Sequence, residues 1–397
     1  MLFFLIITIC LAKLEIHVFD VGQADSQLIL FPSGYSVLID LGENLKDYEP
    51  TNVKYVASKL EKLLPSKHLD VVVLTHLHVD HYGYYGHNGL WYLFEELGFT
   101  AGKYIERDFG SYNGSSNINC TAETFQFNNV GEYSSSMLKW ACYSSSLIDK
   151  TNVSSIREVA KLCSHKQINP PDPDTQVEIF IRDALGVLQK DNTTVSGNHK
   201  GEIPAPSEND YSIGIRIQFG NFVYVTSGDL DGSYSRSFDN SINDVENTVK
   251  DIVGSVDVMH ANHHGSQTSN TAGWLSVLTP TVSVISCGEL NTYNLPNPAS
   301  VSRMAEVSEN IFTTERCNDK INNTKYYEMN DDIIISVDEQ SSTIFTISNS
   351  LKTYEKSYEI KTNKPERKQC IGEEEDSENS SNKVVILFLF LVVVLII

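Results

Sequence analysis

The chain has 397 residues, with 51 acidic against 30 basic side chains and a formal net charge of −21. Hydrophobic residues make up 41% of it, which excludes a generally disordered chain, and the acidic balance excludes a protein that coats nucleic acid through a basic surface. The length allows one large α/β domain or two medium ones, and there is no internal repeat.

Residues 2–11 (LFFLIITICL) form an apolar run of ten closed by Ala12, so 1–12 are expected to be a secretory signal peptide. Leu14–Asp20, Ser26–Phe31 and Tyr35–Asp40 read as strands, separated by turns at Val21–Asp25 and Pro32–Gly34. Pro50–Leu64 carries Val53, Val56, Leu60, Leu63 and Leu64 at helical spacing. Asp70–Thr75 (DVVVLT) has the unbroken apolar run of a strand buried on both faces. This order predicts a mixed sheet covered by helices.

From about 100 to 207 the pattern is poor and rich in Ser, Asn, Thr and Gly. It reads as an insertion with helices at Ser136–Leu147 and Ser155–Ser164. Strands return at Tyr211–Phe219, Phe222–Ser227, Val256–His260 and Thr281–Ser286, with helices over Ile242–Val253 and Pro298–Ser308. Ile333–Val337 and Thr343–Ile347 read as a closing strand pair, completing a domain over 13–350. Residues 351–383 are polar and acidic and are expected to form a stalk. The apolar run 384–397 would span about 21 Å as a helix, short of a hydrocarbon core of about 30 Å, so a glycosylphosphatidylinositol (GPI) attachment signal is preferred to a membrane-spanning anchor.

Secretion agrees with six N-x-S/T sequons, at Asn113, Asn119, Asn152, Asn192, Asn322 and Asn379, which predict a glycoprotein. Without Cys10, six of the seven cysteines remain, an even number that permits three disulfides in an oxidising compartment.

The densest chemistry is Thr75-His76-Leu77-His78-Val79-Asp80-His81, directly after a buried strand. Imidazole with carboxylate suits Zn²⁺, with Mn²⁺ or Fe²⁺ as alternatives, in one or two copies. Further ligands stand at other predicted strand ends: Asp229 in Thr226–Asp229, and His263 and His264 in His260–Ser266. Asp40 closes a strand in the same way and, with Asp25 and Asn209, is expected to support the ligands.

These residues resemble the metallo-β-lactamase fold superfamily through its H-x-H-x-D-H motif. The chain looks most similar to the hydrolase-like domain of bacterial DNA-internalisation competence proteins. That narrower likeness rests on Phe19–Ser26 (FDVGQADS), Leu38–Gly42 (LIDLG), Asn209–Ser212 (NDYS), Ser227–Asp229 (SGD), His263–Ser266 (HHGS) and Ser286–Tyr293 (SCGELNTY). The resemblance implies a four-layer αβ/βα sandwich with metals at one edge. His76 and His78 would hold a first metal, Asp80 and His81 a second, and Asp229 would bridge them. His263 or His264 would complete the second site. The histidine that usually completes the first site has no clear counterpart; His87, His165, His199, Asn209 and Asp210 are the candidates. Leu295 stands where bacterial relatives usually carry a histidine.

The expected chemistry is hydrolysis by a metal-activated hydroxide, with Asp80, His263 or His264 moving the proton. The resemblance favours a small anionic phosphodiester. Without a Lys/Arg stripe, stable nucleic-acid binding is not expected. The alternatives are hydrolysis of a lactone, thioester or β-lactam, or a catalytically silent metal-binding surface protein.

Overall fold

The computed structural model describes residues 13–43, 48–114, 119–131, 133–148, 154–184, 206–232, 244–289 and 291–372. The expected signal peptide, the tail 384–397, the acidic run 373–378, His199 and the sequons at Asn152, Asn192 and Asn379 lie outside them. Among the described residues no helix is long and apolar enough to cross a membrane.

In chain order the first part contains β1 (Leu14–Val18), β2 (Gln27–Leu30), β3 (Ser36–Ile39), α1 (Thr51–Leu63), β4 (His68–Val73), α2 (Val79–Tyr82), α3 (Gly89–Glu95) and β5 (Thr100–Glu106). Then come β6 (Gly110–Ser111), β7 (Gln126–Phe127), α4 (Ser135–Ser144), β8 (Arg157–Val159) and β9 (Thr175–Ile181). The second part contains β10 (Gly214–Phe219), β11 (Phe222–Thr226), α5 (Val245–Val253), β12 (Val258–His260), α6 (Ala272–Leu278) and β13 (Val282–Ile285). It closes with α7 (Pro298–Val307), β14 (Asn310–Thr313), β15 (Tyr326–Glu328), β16 (Ile333–Val337), β17 (Ile344–Asn349) and β18 (Glu355–Glu359).

Two large sheets result, in the orders β18-β17-β16-β1-β2-β3-β4-β5-β8 and β15-β14-β13-β12-β11-β10-β9. Their facing sides share one core that includes Ile16, Ile39, Val73, Ile217, Tyr224, Val258 and Ile335. The outer side of the first sheet packs on α1, α3 and α4 through Leu38, Val56, Leu60, Leu93 and Trp140. The outer side of the second packs on α5, α6 and α7 through Val225, Val249, Trp274, Leu275 and Met304. This is the four-layer αβ/βα sandwich expected. Side chains alternate across each strand, so a strand covered on both faces must be apolar throughout, as β4 is from Val71 to Val73.

Three expectations are corrected. The helix expected over Ser155–Ser164 is instead the edge strand β8, parallel to β5, with Cys163 turned at φ 61°. The stretch 100–207 is not a mere addition, because β5, β8 and β9 are strands of the two main sheets. The start of the expected stalk is folded: β18 pairs antiparallel with β17.

The segment after β18 crosses to the second sheet. Lys361 Nζ donates to the Val256 carbonyl at 2.8 Å and Lys364 Nζ to that of Asn221 at 2.7 Å. Arg367 pairs with Glu178 at 2.7 Å, and Cys370 forms a disulfide with Cys163. The other disulfides are Cys120–Cys142 and Cys287–Cys317, so all six cysteines after Cys10 are paired.

Candidate metal centre

The C-terminal ends of β3, β4, β11 and β12 open on one edge of the sandwich, where loops meet from both sheets. Their backbones are stitched together. Asp25 N donates to Asp80 O at 2.9 Å, Gly42 N to Asp25 O at 3.0 Å, and Leu41 N to His81 O at 2.8 Å. A Cβ on Gly42 would lie 1.6 Å from Asp80 O, so only glycine lets the two loops touch. From the other sheet, Gly228 takes φ +50°, and a Cβ there would fall 2.7 Å from Thr75 Oγ1.

Asp229, at the end of β11, stands between two groups of donors. Its Oδ2 lies 3.8 Å from His76 Nε2, which is 3.0 Å from His78 Nδ1. Its Oδ1 lies 3.2 Å from His81 Nε2 and 3.7 Å from His264 Nε2. Asp80 Oδ2 is 3.6 Å from the same His264 nitrogen. The structure thus places Asp80, His81, Asp229 and His264 in one group and His76, His78 and Asp229 in the other. Of the two histidines weighed for the second site, His264 stands there. His263 lies on the other side of Asp229, its Nε2 3.7 Å from Oδ2.

The split follows from the backbone. His263 and His264 both adopt left-handed conformations, at φ 53° and 49°, so a tight turn sends consecutive rings apart. Non-glycine residues hold such angles only where the surroundings compel them. Here His263 N donates to Gly228 O at 3.1 Å and Asn297 N to Gly265 O at 2.8 Å.

The rings are held through their far nitrogens. His81 Nδ1 meets Asp40 Oδ2 at 2.8 Å, and Asp40 also receives Thr75 N and Oγ1 at 2.8 and 2.7 Å. His264 Nδ1 meets the Ser286 carbonyl at 2.9 Å. His263 Nδ1 meets Asp231 Oδ1 at 3.1 Å, and that oxygen also receives Thr268 and Ser269 hydroxyls, each at 2.8 Å. Each contact suits an N–H on Nδ1 and turns Nε2 toward Asp229, where its lone pair can take a metal or, without one, a proton, the arrangement metal-binding imidazoles use.

Those inward lone pairs fit a cation. His81 Nε2 and His264 Nε2 are buried and make no hydrogen bond within the protein. Without a metal, the charge balance is carried by protons. Burial alone would lower the His81 pKa, but Asp229 and Asp40 outweigh it and hold it well above the usual value. Burial would raise Asp229, and His81, His263 and His264 hold it well below the carboxylate range. His76 is kept well below the usual imidazole range by burial and by His81. A nitrogen and carboxylate set of this kind suits Zn²⁺, Mn²⁺ or Fe²⁺.

The supporting residues lie just beneath. Asp40 is wholly buried against His81. Asp25 accepts the Ser286 hydroxyl at 3.0 Å and lies 3.7 Å from His260 Nε2. Asn209 sits with Nδ2 3.3 Å from His263 Nε2. Asp210 is buried near Asp231 and His263 and receives Ser207 N at 2.8 Å, but joins neither donor group. The His87 ring packs tilted against Tyr48, centroids 4.9 Å apart, and His165 pairs with Glu178 at 3.2 Å, so neither joins the donor groups.

Three residues escaped the sequence reading. Asp231 had only its closeness to Asp229 as a signal. Arg107 and Glu208 had none, being 101 residues apart, yet they form a buried pair, and Glu208 Oε1 also receives Leu77 N at 2.8 Å. This fixes the peptide between His76 and His78.

The fold and site therefore define an αβ/βα sandwich with a two-part histidine and carboxylate centre at one edge. No protein-family model matches the chain, and no curated protein does. A crystal structure described as a metal-dependent hydrolase of the β-lactamase superfamily is 14% identical, with a TM-score of 0.36, covering 76% of this chain and 95% of its own.

Proposed function

We propose that the protein is a metal-dependent hydrolase of phosphodiesters, binding one or two divalent ions, Zn²⁺ foremost. The observation that carries this reading is the division of Asp229 between two donor groups, Oδ2 toward His76 and Oδ1 toward His81 and His264. When bound, such ions lower the pKa of water to near 7 and neutralise charge on a phosphoryl oxygen.

The chain's own groups do the rest. Asp80 lines the pocket and is in place to hold the proton of an attacking water. His263 also lines it, with its ring oriented by Asp231, and is in place to protonate the departing oxygen. No G-x-S-x-G elbow supplies a serine nucleophile.

The proposed setting is the secretory pathway and cell surface, with a membrane attachment through the C-terminal tail. Three disulfides support an oxidising compartment, and the sequon asparagines Asn113, Asn119 and Asn322 are exposed. The test is hydrolysis of bis(4-nitrophenyl) phosphate by zinc-loaded protein. Release of nitrophenolate that a chelator stops and zinc restores is expected. Hydrolysis of a lactone or thioester but no diester would overturn the substrate class.

A further inference from the structure

The pocket over the donor groups has a volume of about 410 Å³, the size of a small-ligand site. Among its described lining residues there is no Lys or Arg. Apart from bound metal and a protonated His263, an anionic substrate meets no positive charge there. A long polynucleotide draws its affinity from many phosphate contacts, and a chain of net charge −21 with this pocket does not offer them.

The pocket offers aromatic rings instead. Tyr84 and Tyr293 line it, beside Leu77, Val79 and Leu295. Tyr293 is 57% exposed. Tyr84 is backed by Tyr48, with ring centroids 4.8 Å apart. Aromatic and apolar side chains lining a concave pocket are the usual contacts of a small-ligand site.

The loop carrying Tyr293 is tied by hydrogen bonds on both sides of that residue. Asn291 Nδ2 donates to the Leu295 carbonyl at 2.7 Å, and Leu295 N donates back to Asn291 Oδ1 at 2.8 Å. Asn318 Nδ2 holds the Asn294 carbonyl at 2.9 Å, and the Cys287–Cys317 disulfide ties the two flanking segments. A backbone held this way leaves only the ring's own torsions to be fixed when a flat partner stacks on it.

We propose that the site takes a short phosphodiester with a nucleobase beside the scissile phosphate, the base stacking on Tyr293 and Tyr84. This rests on the phosphodiester reading above. The metals would grip one phosphate, and the tyrosines would supply the sequence-tolerant contact that every base allows.

The test compares two substrates with the same leaving group: thymidine 5′-(4-nitrophenyl) phosphate and its abasic analogue. The zinc-loaded full chain is expected to prefer the thymidine diester about 10-fold or more in kcat/KM, the scale of one stacked base. Tyr293→Ala and Tyr84→Ala are expected to bring the preference close to one, and Tyr293→Phe to keep it. Equal rates on both diesters, or a preference that survives both alanine variants, would overturn the proposal. A 20-residue oligothymidylate binding, as a competitor, more than tenfold more tightly than the thymidine diester would overturn it too.

If neither diester is cleaved, the phosphodiester reading fails separately. Saturation-transfer NMR with thymidine 5′-phosphate then decides the stacking. Transfer to the base protons that Tyr293→Ala abolishes supports it, and no transfer to the base overturns it.

Discussion

Arg107 and Glu208 form a buried two-pronged ion pair, Nε to Oε1 at 2.7 Å and Nη2 to Oε2 at 2.5 Å. The guanidinium also faces the Tyr211 ring at 4.4 Å. Because the same Glu208 oxygen receives Leu77 N, the pair sets the backbone from which His76 and His78 project. Arg107→Ala would leave a buried carboxylate without its partner. The expected loss is about 3–5 kcal/mol, read from urea unfolding, together with weaker zinc binding. Unfolding within about 0.5 kcal/mol of the parent would show that the pair does not support the loop.

Metal content distinguishes the two halves of the centre. Elemental analysis of the zinc-loaded parent is expected to find two ions per chain. His264→Ala should leave about one, and His78→Ala should also leave about one, because each removes a ligand from a different side of Asp229. A parent that binds a single ion, lost in both variants, would mean one shared site.

Gly42→Ala tests the close contact of two loops. A methyl group cannot lie 1.6 Å from the Asp80 carbonyl, so one loop must move. Overpacking of this kind costs about 1–3 kcal/mol. Asp80 would shift with its backbone, and diester hydrolysis is expected to fall more than stability does. Parent-like turnover would show that the Asp80 position is not critical.

A pH effect is expected away from the centre. Burial, and then the Glu315 carboxylate, push the Asp20 pKa up to about 8, against 3.8 for a free side chain. The folded state therefore keeps a proton that the unfolded state releases. The stability this gives is present below pH 3.8 and is lost as the pH rises through 8. Asp20→Asn removes the charge. It should match the parent at pH 4 and exceed it at pH 8 by about 2 °C in Tm. Thermal melts at both pH values check this, and an equal shift at both would contradict it.

Much of the centre was legible because its residues end strands. A run such as VVVLT followed at once by His76, His78, Asp80 and His81 announces itself, and Asp229 and His264 follow other apolar runs in the same way. Spacing does not reveal which ring goes where. His263 and His264 are neighbours, and only a turn with both residues left-handed separates them across Asp229. The edge strands were hidden for another reason. β8 is three residues long, and in β18 only Tyr358 is buried, so neither carries an apolar period of its own. Both exist because a neighbouring strand supplies their hydrogen bonds. Arg107 and Glu208 show the same limit for a polar pair.

The crossing segment after β18 has a mechanical consequence. Traction applied beyond Gly372 reaches Cys370 first and passes through its sulfur bridge into the body of the domain at Cys163. The β17–β18 ladder is thereby shielded from being peeled open rung by rung. A chain tugged from that side loads the connection between β8 and β9 instead, and reducing the bridge would return that load to β18.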